Sequence, residues 1–318
     1  MWSERPQRSA AILGLGVHRP ATYLDNATIA ARIDSSDEWI RERSGIVTRG
    51  VAAEDESVVD MATDSAEKAL ATAGIAAADV GLVLLATCSM PGLLPGGAPE
   101  VAFRLGAHSA GAADLTAACA GFTYGLALAA NTVRCGDADN VLVIGAEKLF
   151  PMVDPHDREV AFLFGDAAGA AVVGLAEIDG IGPVVWAHDG GQNEAITLDH
   201  SPRVKMQGRQ VYRWATTTLP KLVRSACERA GIAVEELAAF IPHQANLRIT
   251  EAVARSLNLP PSVVIARDIV ESGNTSAASV PLAFARLLDR AEISTGDPVL
   301  VIGFGSGMTV AGQVVRCP

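Results

Sequence analysis

Aromatic side chains are scarce in this 318-residue chain, 5% of residues against 49% hydrophobic residues in all. The core must therefore be assembled from Ala, Val, Leu and Ile. Lysine is nearly missing: Lys68, Lys148, Lys205 and Lys221 are the only four, so arginine supplies most of the positive charge. The net charge of −11 excludes bulk attraction to nucleic acid or to an anionic membrane, and any anionic ligand has to be met by local arginines. No stretch approaches the roughly 18 consecutive apolar residues of a membrane span, because Gly, Asp or Arg interrupts each one. The opening MWSERPQRSA carries charge without the apolar segment of a secretory signal behind it. A soluble, cytoplasmic protein is expected. Cys88, Cys119, Cys135, Cys227 and Cys317 are dispersed, with no CxxC pair or Cys/His cluster, so neither a metal site nor disulfides are expected.

What is present is repetition. AEKALATAGIAAADVGLVLLAT (Ala66–Thr87) matches VRSACERAGIAVEELAAFIPHQ (Val223–Gln244) in pattern. Each reads as an amphipathic helix stopped at Ala-Gly-Ile, then an acidic turn, then an apolar strand. Gly74 and Gly231 stand where a helix end favours left-handed backbone. GDADNVLVIGAE (Gly136–Glu147) resembles GDPVLVIGFG (Gly296–Gly305), and AACAGFTYGLALAANTVRCGD (Ala117–Asp137) aligns with AASVPLAFARLLDRAEISTGD (Ala277–Asp297). That last alignment sets Cys119 opposite Ser279. Strands such as VLVIG are apolar on both faces, as central strands covered by helices should be. Helix, strand, buried helix, strand thus occurs twice. Two α/β halves, divided near 172–181, would stack with the two small-residue helices as the middle of five layers.

Three side chains at the corners of these elements carry chemistry. Cys119 heads the first buried helix, His243 follows an apolar strand in IPHQANLRI, and Asn274 precedes the second buried helix in ESGNTSAAS. Each alone has a plain reading: a packing thiol, a structural imidazole, a helix cap. Their placement at equivalent corners of a doubled fold is what points to one site. The positive end of a helix is expected to lower the Cys119 pKa from about 8.5 and supply thiolate. Neutral His and Asn donors suit a developing enolate oxygen. The glycine-rich bend VIGFGSGMT offers backbone N–H groups that could complete an oxyanion hole with that of Cys119.

DSSDEWIRERSGI (Asp34–Ile46), AACAGF (Ala117–Phe122), FGDAAGAAVV (Phe164–Val173), PHQANLRI (Pro242–Ile249) and GNTSAASVP (Gly273–Pro281) resemble β-ketoacyl-ACP synthase III, the initiating condensing enzyme of type II fatty acid synthesis. The likeness runs from about Ala11 to Arg316. It implies an α/β, thiolase-like five-layered αβαβα fold of two pseudo-symmetric halves, 1–171 carrying the nucleophile and 172–318 carrying His and Asn. It implies a catalytic triad of Cys119, His243 and Asn274. Cys119 would take an acyl group, and the other two would stabilise the enolate left when malonyl-ACP loses CO2. The oxyanion hole would use the N–H groups of Cys119 and Ser306. Trp39, Arg43 and Arg158 would hold the adenine and phosphates of CoA, with Arg209, Asn246 and Arg248 along the pantetheine tunnel and carrier surface. Leu149, Phe164 and Met206 would line the acyl pocket, and Leu94 would reach into it from the other subunit of a homodimer. Acyl carrier protein and acyl-CoA are the implied partners, with no cofactor beyond these substrates, no metal, no nucleic acid and no membrane.

This chain departs from the family pattern at the CoA mouth and the acyl pocket. Glu159 follows Arg158 where glycine is common, and its carboxylate could pair with that arginine. Arg209 replaces an asparagine. FGSGMT replaces a run of three glycines, and SMPGLLPGGAPE brings Leu93 and Leu94 in place of an aromatic dimer loop. Two other readings stay open. One is an acyltransferase of a secondary-metabolite pathway that uses the same cysteine without elongation. The other is a catalytically silent thiolase-like subunit.

Overall fold

The computed structural model describes residues 8–318. Residues 1–7, most of the stretch without a secretory pattern, lie outside the described residues. Two five-stranded sheets form the frame. The first runs in the order Ser9–His18, Ala167–Ala176, Asn140–Glu147, Leu82–Ala86, Gly111–Leu115. The second runs Val185–Ala187, Thr309–Arg316, Pro298–Gly305, Ala239–Pro242, Val264–Ile265 when read from the matching edge. In each sheet three strands are parallel, and two antiparallel strands close the other side. The two sheets therefore share one topology, as the sequence repeat requires. The strand Ala167–Ala176 lies wholly in the first sheet, so the boundary expected at 171/172 would cut through it. The stretch between Ala176 and Val185 links the two sheets, overlapping the foreseen interval 172–181 and running past its end.

Helices Gly121–Cys135 and Ser279–Asp289 lie between the sheets. One core cluster joins Phe122, Leu126 and Val133 of the first helix and Val280, Phe284 and Leu287 of the second to Val141 and Val143 of one sheet and Val299 and Val301 of the other. The alternate residues of the same strands face outward. Leu142 and Ile144 pack with helix Val58–Ala73. Leu300 and Ile302 pack with helices Gly208–Ala230 and Leu247–Leu257. Strands apolar on both faces are thus covered on both faces, and five layers result.

The helix limits follow local chemistry. Val58–Ala73 starts with a reciprocal box in which the Asp60 N–H donates to Ser57 Oγ at 3.1 Å and the Ser57 N–H to Asp60 Oδ2 at 2.7 Å. It ends at Gly74, φ +67°, and its counterpart ends at Gly231, φ +74°. One alignment shifts. Short 3-10 turns at Ala118–Ala120 and Ser276–Ala278 precede the two central helices, and each starts on a residue of positive φ, Ala118 at +45° and Ser276 at +47°. The structural counterpart of Cys119 is therefore Ala277, not Ser279. Gapless alignment of small residues cannot detect such a two-residue slip. No helix of the described residues is long and apolar enough to cross a membrane.

Candidate active site

Cys119, His243 and Asn274 line one cavity of about 1410 Å³. Sheet topology accounts for the meeting. Strands Ala239–Pro242 and Pro298–Gly305 run parallel with Pro242 opposite Ile302, so His243 and Phe304 emerge side by side at the same end of the sheet. Their rings meet edge to face at 5.1 Å. Cys119 arrives from the other half, four residues past strand Gly111–Leu115, on its 3-10 turn. Gly303 and Gly305 let it come close. A Cβ on Gly303 would stand 2.8 Å from the Ala120 Cα, and one on Gly305 only 2.7 Å from the Cys119 backbone nitrogen. The glycines of VIGFGSGMT thus bring the second half's strand end against the nucleophile's own N–H. Ser306 follows immediately and lines the cavity, its hydroxyl donating to the Ile196 carbonyl at 2.7 Å.

Asn274 is held by backbone from both sides. Its N–H donates to the Leu163 carbonyl at 2.8 Å, and its own carbonyl accepts from the Gly165 N–H at 3.0 Å. The Oδ1 atom accepts from the Ser276 N–H at 2.9 Å, so the Nδ2 group is the free end of the amide. His243 is buried, and burial pushes its pKa down to about 3, which keeps the ring neutral. Its Nδ1 lies 2.6 Å from Ser279 Oγ, which also accepts from the Gln244 N–H at 3.2 Å. Nδ1 is the one acceptor that faces the Ser279 hydroxyl among the described hydrogen bonds, so that proton goes to Nδ1 and the ring hydrogen sits on Nε2. Both side chains are therefore arranged as neutral donors.

The Cys119 thiol differs from expectation. Burial pushes it up to about 12, Glu147 adds to the rise, and the Ser276 hydroxyl and the Cys119 backbone oppose it. The thiolate expected at a helix start is not the resting state. A helix N-terminus offers about half a positive charge, while this thiol sits deep in the cavity near a whole buried carboxyl group.

The mouth holds the expected cations. Trp39, Arg43, Arg158, Arg209, Asn246 and Arg248 all line the cavity. The Trp39 ring carries the guanidinium of Arg158 at 4.9 Å from its centroid and that of Arg43 at 5.1 Å. Arg248 lies over Tyr212 at 5.5 Å. The Asn246 side chain is spent on structure: it caps helix Leu247–Leu257 by accepting the Arg248 N–H at 3.0 Å and donates to the Arg43 carbonyl at 3.0 Å. Glu159 lines the cavity but forms no ion pair with Arg158 or any other described residue, so the pairing foreseen for it does not occur. Leu149, Phe164 and Met206 line the inner wall. Leu94 does not, being 89% exposed on its loop beside the 96% exposed Leu93.

Sequence reading missed four polar neighbours: Cys88, Glu147, Ser276 and Ser279. Glu147 had a signal. In the repeated strand VLVIGAE/VLVIGFG it takes the place of Gly305, a carboxyl group ending a run otherwise wholly apolar.

Comparison with known proteins agrees with this geometry. Residues 113–190 match the family described as 3-Oxoacyl-[acyl-carrier-protein (ACP)] synthase III, and residues 227–317 match its C-terminal counterpart. The chain is 50% identical over 311 residues to beta-ketoacyl-[acyl-carrier-protein] synthase III 2 of Streptomyces avermitilis, covering 96% of this chain and 98% of the relative. It is 49% identical over 315 residues to synthase III 4 of Streptomyces coelicolor, covering 98% and 99%. Among solved structures, the priming β-ketosynthase of the R1128 polyketide pathway superposes with a TM-score of 0.97 at 40% identity, covering 100% of this chain and 98% of that one. A thiolase-like fold, a cysteine at the junction of two related halves and near-full-length relatives at half identity converge: the chain belongs to the β-ketoacyl-ACP synthase III family and is a condensing enzyme of the acyltransferase class.

Proposed function

We propose that the protein joins an acyl thioester, acyl-CoA or acyl-ACP, to malonyl-ACP by decarboxylative Claisen condensation, initiating fatty acid or polyketide synthesis through an acyl-enzyme on Cys119. The observation that carries the reading is the pair of neutral donors beside the thiol, His243 with Nδ1 committed to Ser279 and Asn274 with Oδ1 committed to Ser276. Acyl transfer alone needs no enolate stabilised, so a second donor pair beyond an oxyanion hole favours condensation. In the first half-reaction Cys119 attacks the thioester carbonyl, its oxygen facing the N–H groups of Cys119 and Ser306, and the donor's thiol leaves. In the second, malonyl-ACP loses CO2 while His243 and Asn274 hold the enolate oxygen; its carbon then attacks the acyl-enzyme carbonyl, the bond from that carbon to the Cys119 sulfur breaks, and the Cys119 thiolate leaves.

The arginines at the mouth suit the phosphates of CoA and the acidic carrier, since the protein's field of −11 charges repels both. Leu149, Phe164 and Met206 would hold the acyl chain. In a homodimer, Leu94 of one subunit would complete the pocket of the other. A cytoplasmic location and a reaction without further cofactors go with this reading.

The test is incubation of the pure protein with acyl-CoA and malonyl-ACP, followed by mass spectrometry. A β-ketoacyl-ACP with matched CO2 release is expected. Acyl transfer to the carrier without CO2 loss would favour the non-elongating acyltransferase, and no acyl adduct on Cys119 with any donor would favour the silent subunit.

A further inference from the structure

The two enolate donors are tied to one amide behind them. Gln244 is fully buried and does not line the cavity. Its side chain spans two segments of the second half. Nε2 donates to the Pro242 carbonyl at 2.7 Å, and Oε1 accepts from the Ile269 N–H at 3.2 Å. The amide fits in only one orientation, because a proline carbonyl accepts and a backbone N–H donates. The Gln244 N–H also donates to Ser279 Oγ at 3.2 Å, the same oxygen that lies 2.6 Å from His243 Nδ1.

Ile269 opens the one-turn helix Ile269–Ser272. Its carbonyl accepts from the Gly273 N–H at 3.0 Å, and Asn274 is the next residue. The first half of the molecule holds the same turn. Arg19, just past strand Ser9–His18, donates from Nη2 to Asp268 Oδ1 at 2.8 Å and from Nη1 to Ser272 Oγ at 2.6 Å. Asp268 is buried, and Arg286 shares its carboxylate. The segment leading to Asn274 is thus pinned at Asp268, Ile269 and Ser272, by one amide and one guanidinium.

We infer that Gln244 and Arg19 are positioning residues for the condensation step. Gln244 fixes the spacing between the His243 and Asn274 donors. Arg19 fixes the Asn274 segment against the half that carries Cys119. Neither side chain lines the cavity, so both act through the donors. Two donors share one enolate oxygen only if each stands about 3 Å from it. A misplacement of about 1 Å can cost on the order of a hundredfold in rate. Apolar packing tolerates such shifts more readily than a buried, fully partnered polar network does. Loading needs neither tether, because the N–H groups assigned to its oxyanion hole belong to Cys119 and Ser306. The inference rests on the condensation reading and separates the two half-reactions.

Gln244→Met, of similar length but without the amide, and Arg19→Met test it. Three quantities are measured: the rate of Cys119 acylation by acyl-CoA, kcat and KM for malonyl-ACP in condensation, and hydrogen exchange of the peptide covering 267–275 by mass spectrometry. In each variant kcat is expected to fall about tenfold or more. Acylation and KM should stay within about twofold, and the peptide should exchange faster than in the parental protein. A parental kcat, a rise in KM alone, or acylation falling together with kcat overturns the inference, the last because it marks general loosening. Should Gln244→Met fail to fold, Arg19→Met decides alone, since it leaves Asp268 paired with Arg286. A parental protein that makes no β-ketoacyl product sinks the condensation reading itself. Hydrogen exchange still judges the tethers in that case, and unchanged exchange in the variants overturns them.

Discussion

At the scale of single residues, the site separates loading from condensation. Cys119→Ala should abolish acyl-enzyme formation, read as loss of the mass increment, while costing on the order of 1 kcal/mol or less in a denaturant melt, because Ala fits the same small volume. Asn274→Ala should still load acyl groups yet condense about a hundredfold more slowly, in line with the loss of one donor to a developing oxyanion. A parental condensation rate in that variant would remove the enolate role. Among the described residues Glu159 has no cationic partner at the mouth, so its charge is free to repel CoA phosphates. Glu159→Gly should lower KM for acyl-CoA severalfold at low ionic strength and little at high salt, the behaviour of an exposed interaction of about 1 kcal/mol or less. Steady-state kinetics at two salt concentrations checks this, and an unchanged KM at low salt excludes Glu159 from donor choice.

At the scale of elements, glycine decides how near the two halves come. Gly305 has extended backbone, φ −168°, so any residue could adopt its conformation. The obstacle is space, since a Cβ there would meet the Cys119 backbone nitrogen at 2.7 Å and the Cys119 Cβ at 3.1 Å. Gly305→Ala should therefore displace the 3-10 turn that carries the nucleophile. The expected outcome is a lower melting temperature together with acylation reduced about tenfold or more, because a displacement of about 1 Å at the reacting atom is costly. Full acylation activity in Gly305→Ala would show that the turn yields without moving the thiol.

At the scale of the whole molecule, stability should carry the signature of the buried imidazole. With the folded His243 pKa near 3 and the unfolded value near 6.5, the unfolded chain binds a proton in that interval and the folded chain does not. Stability therefore rises with pH between these limits and is lost as pH falls below about 6.5. Between pH 7 and pH 5 this one group should remove about 2 kcal/mol. Glu147 and Asp166, whose pKa values burial raises, act with the opposite sign, losing stability as pH rises through their folded values. The His243 share is isolated by comparing urea unfolding at the two pH values with that of His243→Gln, which should show a pH dependence smaller by about that amount. An unaltered dependence would mean the ring is not held neutral.

The sequence by itself determined the layers, the doubling and the three chemical corners. Apolar strands on a repeated pattern, Ala-Gly-Ile helix ends and a lone Cys, His and Asn at matching junctions are local signals, legible because backbone hydrogen bonding and burial act over a few residues. Tertiary structure alone decided the rest. The two-residue slip that pairs Cys119 with Ala277 depends on two left-handed turns whose sequences look like ordinary helix starts. The unpaired Glu159 depends on side-chain directions no motif records. The state of the thiol depends on its burial and on Glu147 and Ser276, which come from a strand end in one half and a 3-10 turn in the other. A pKa is a property of charge and dielectric in space, and neighbours in space are chosen by the packing of the two halves, not by neighbours in the chain.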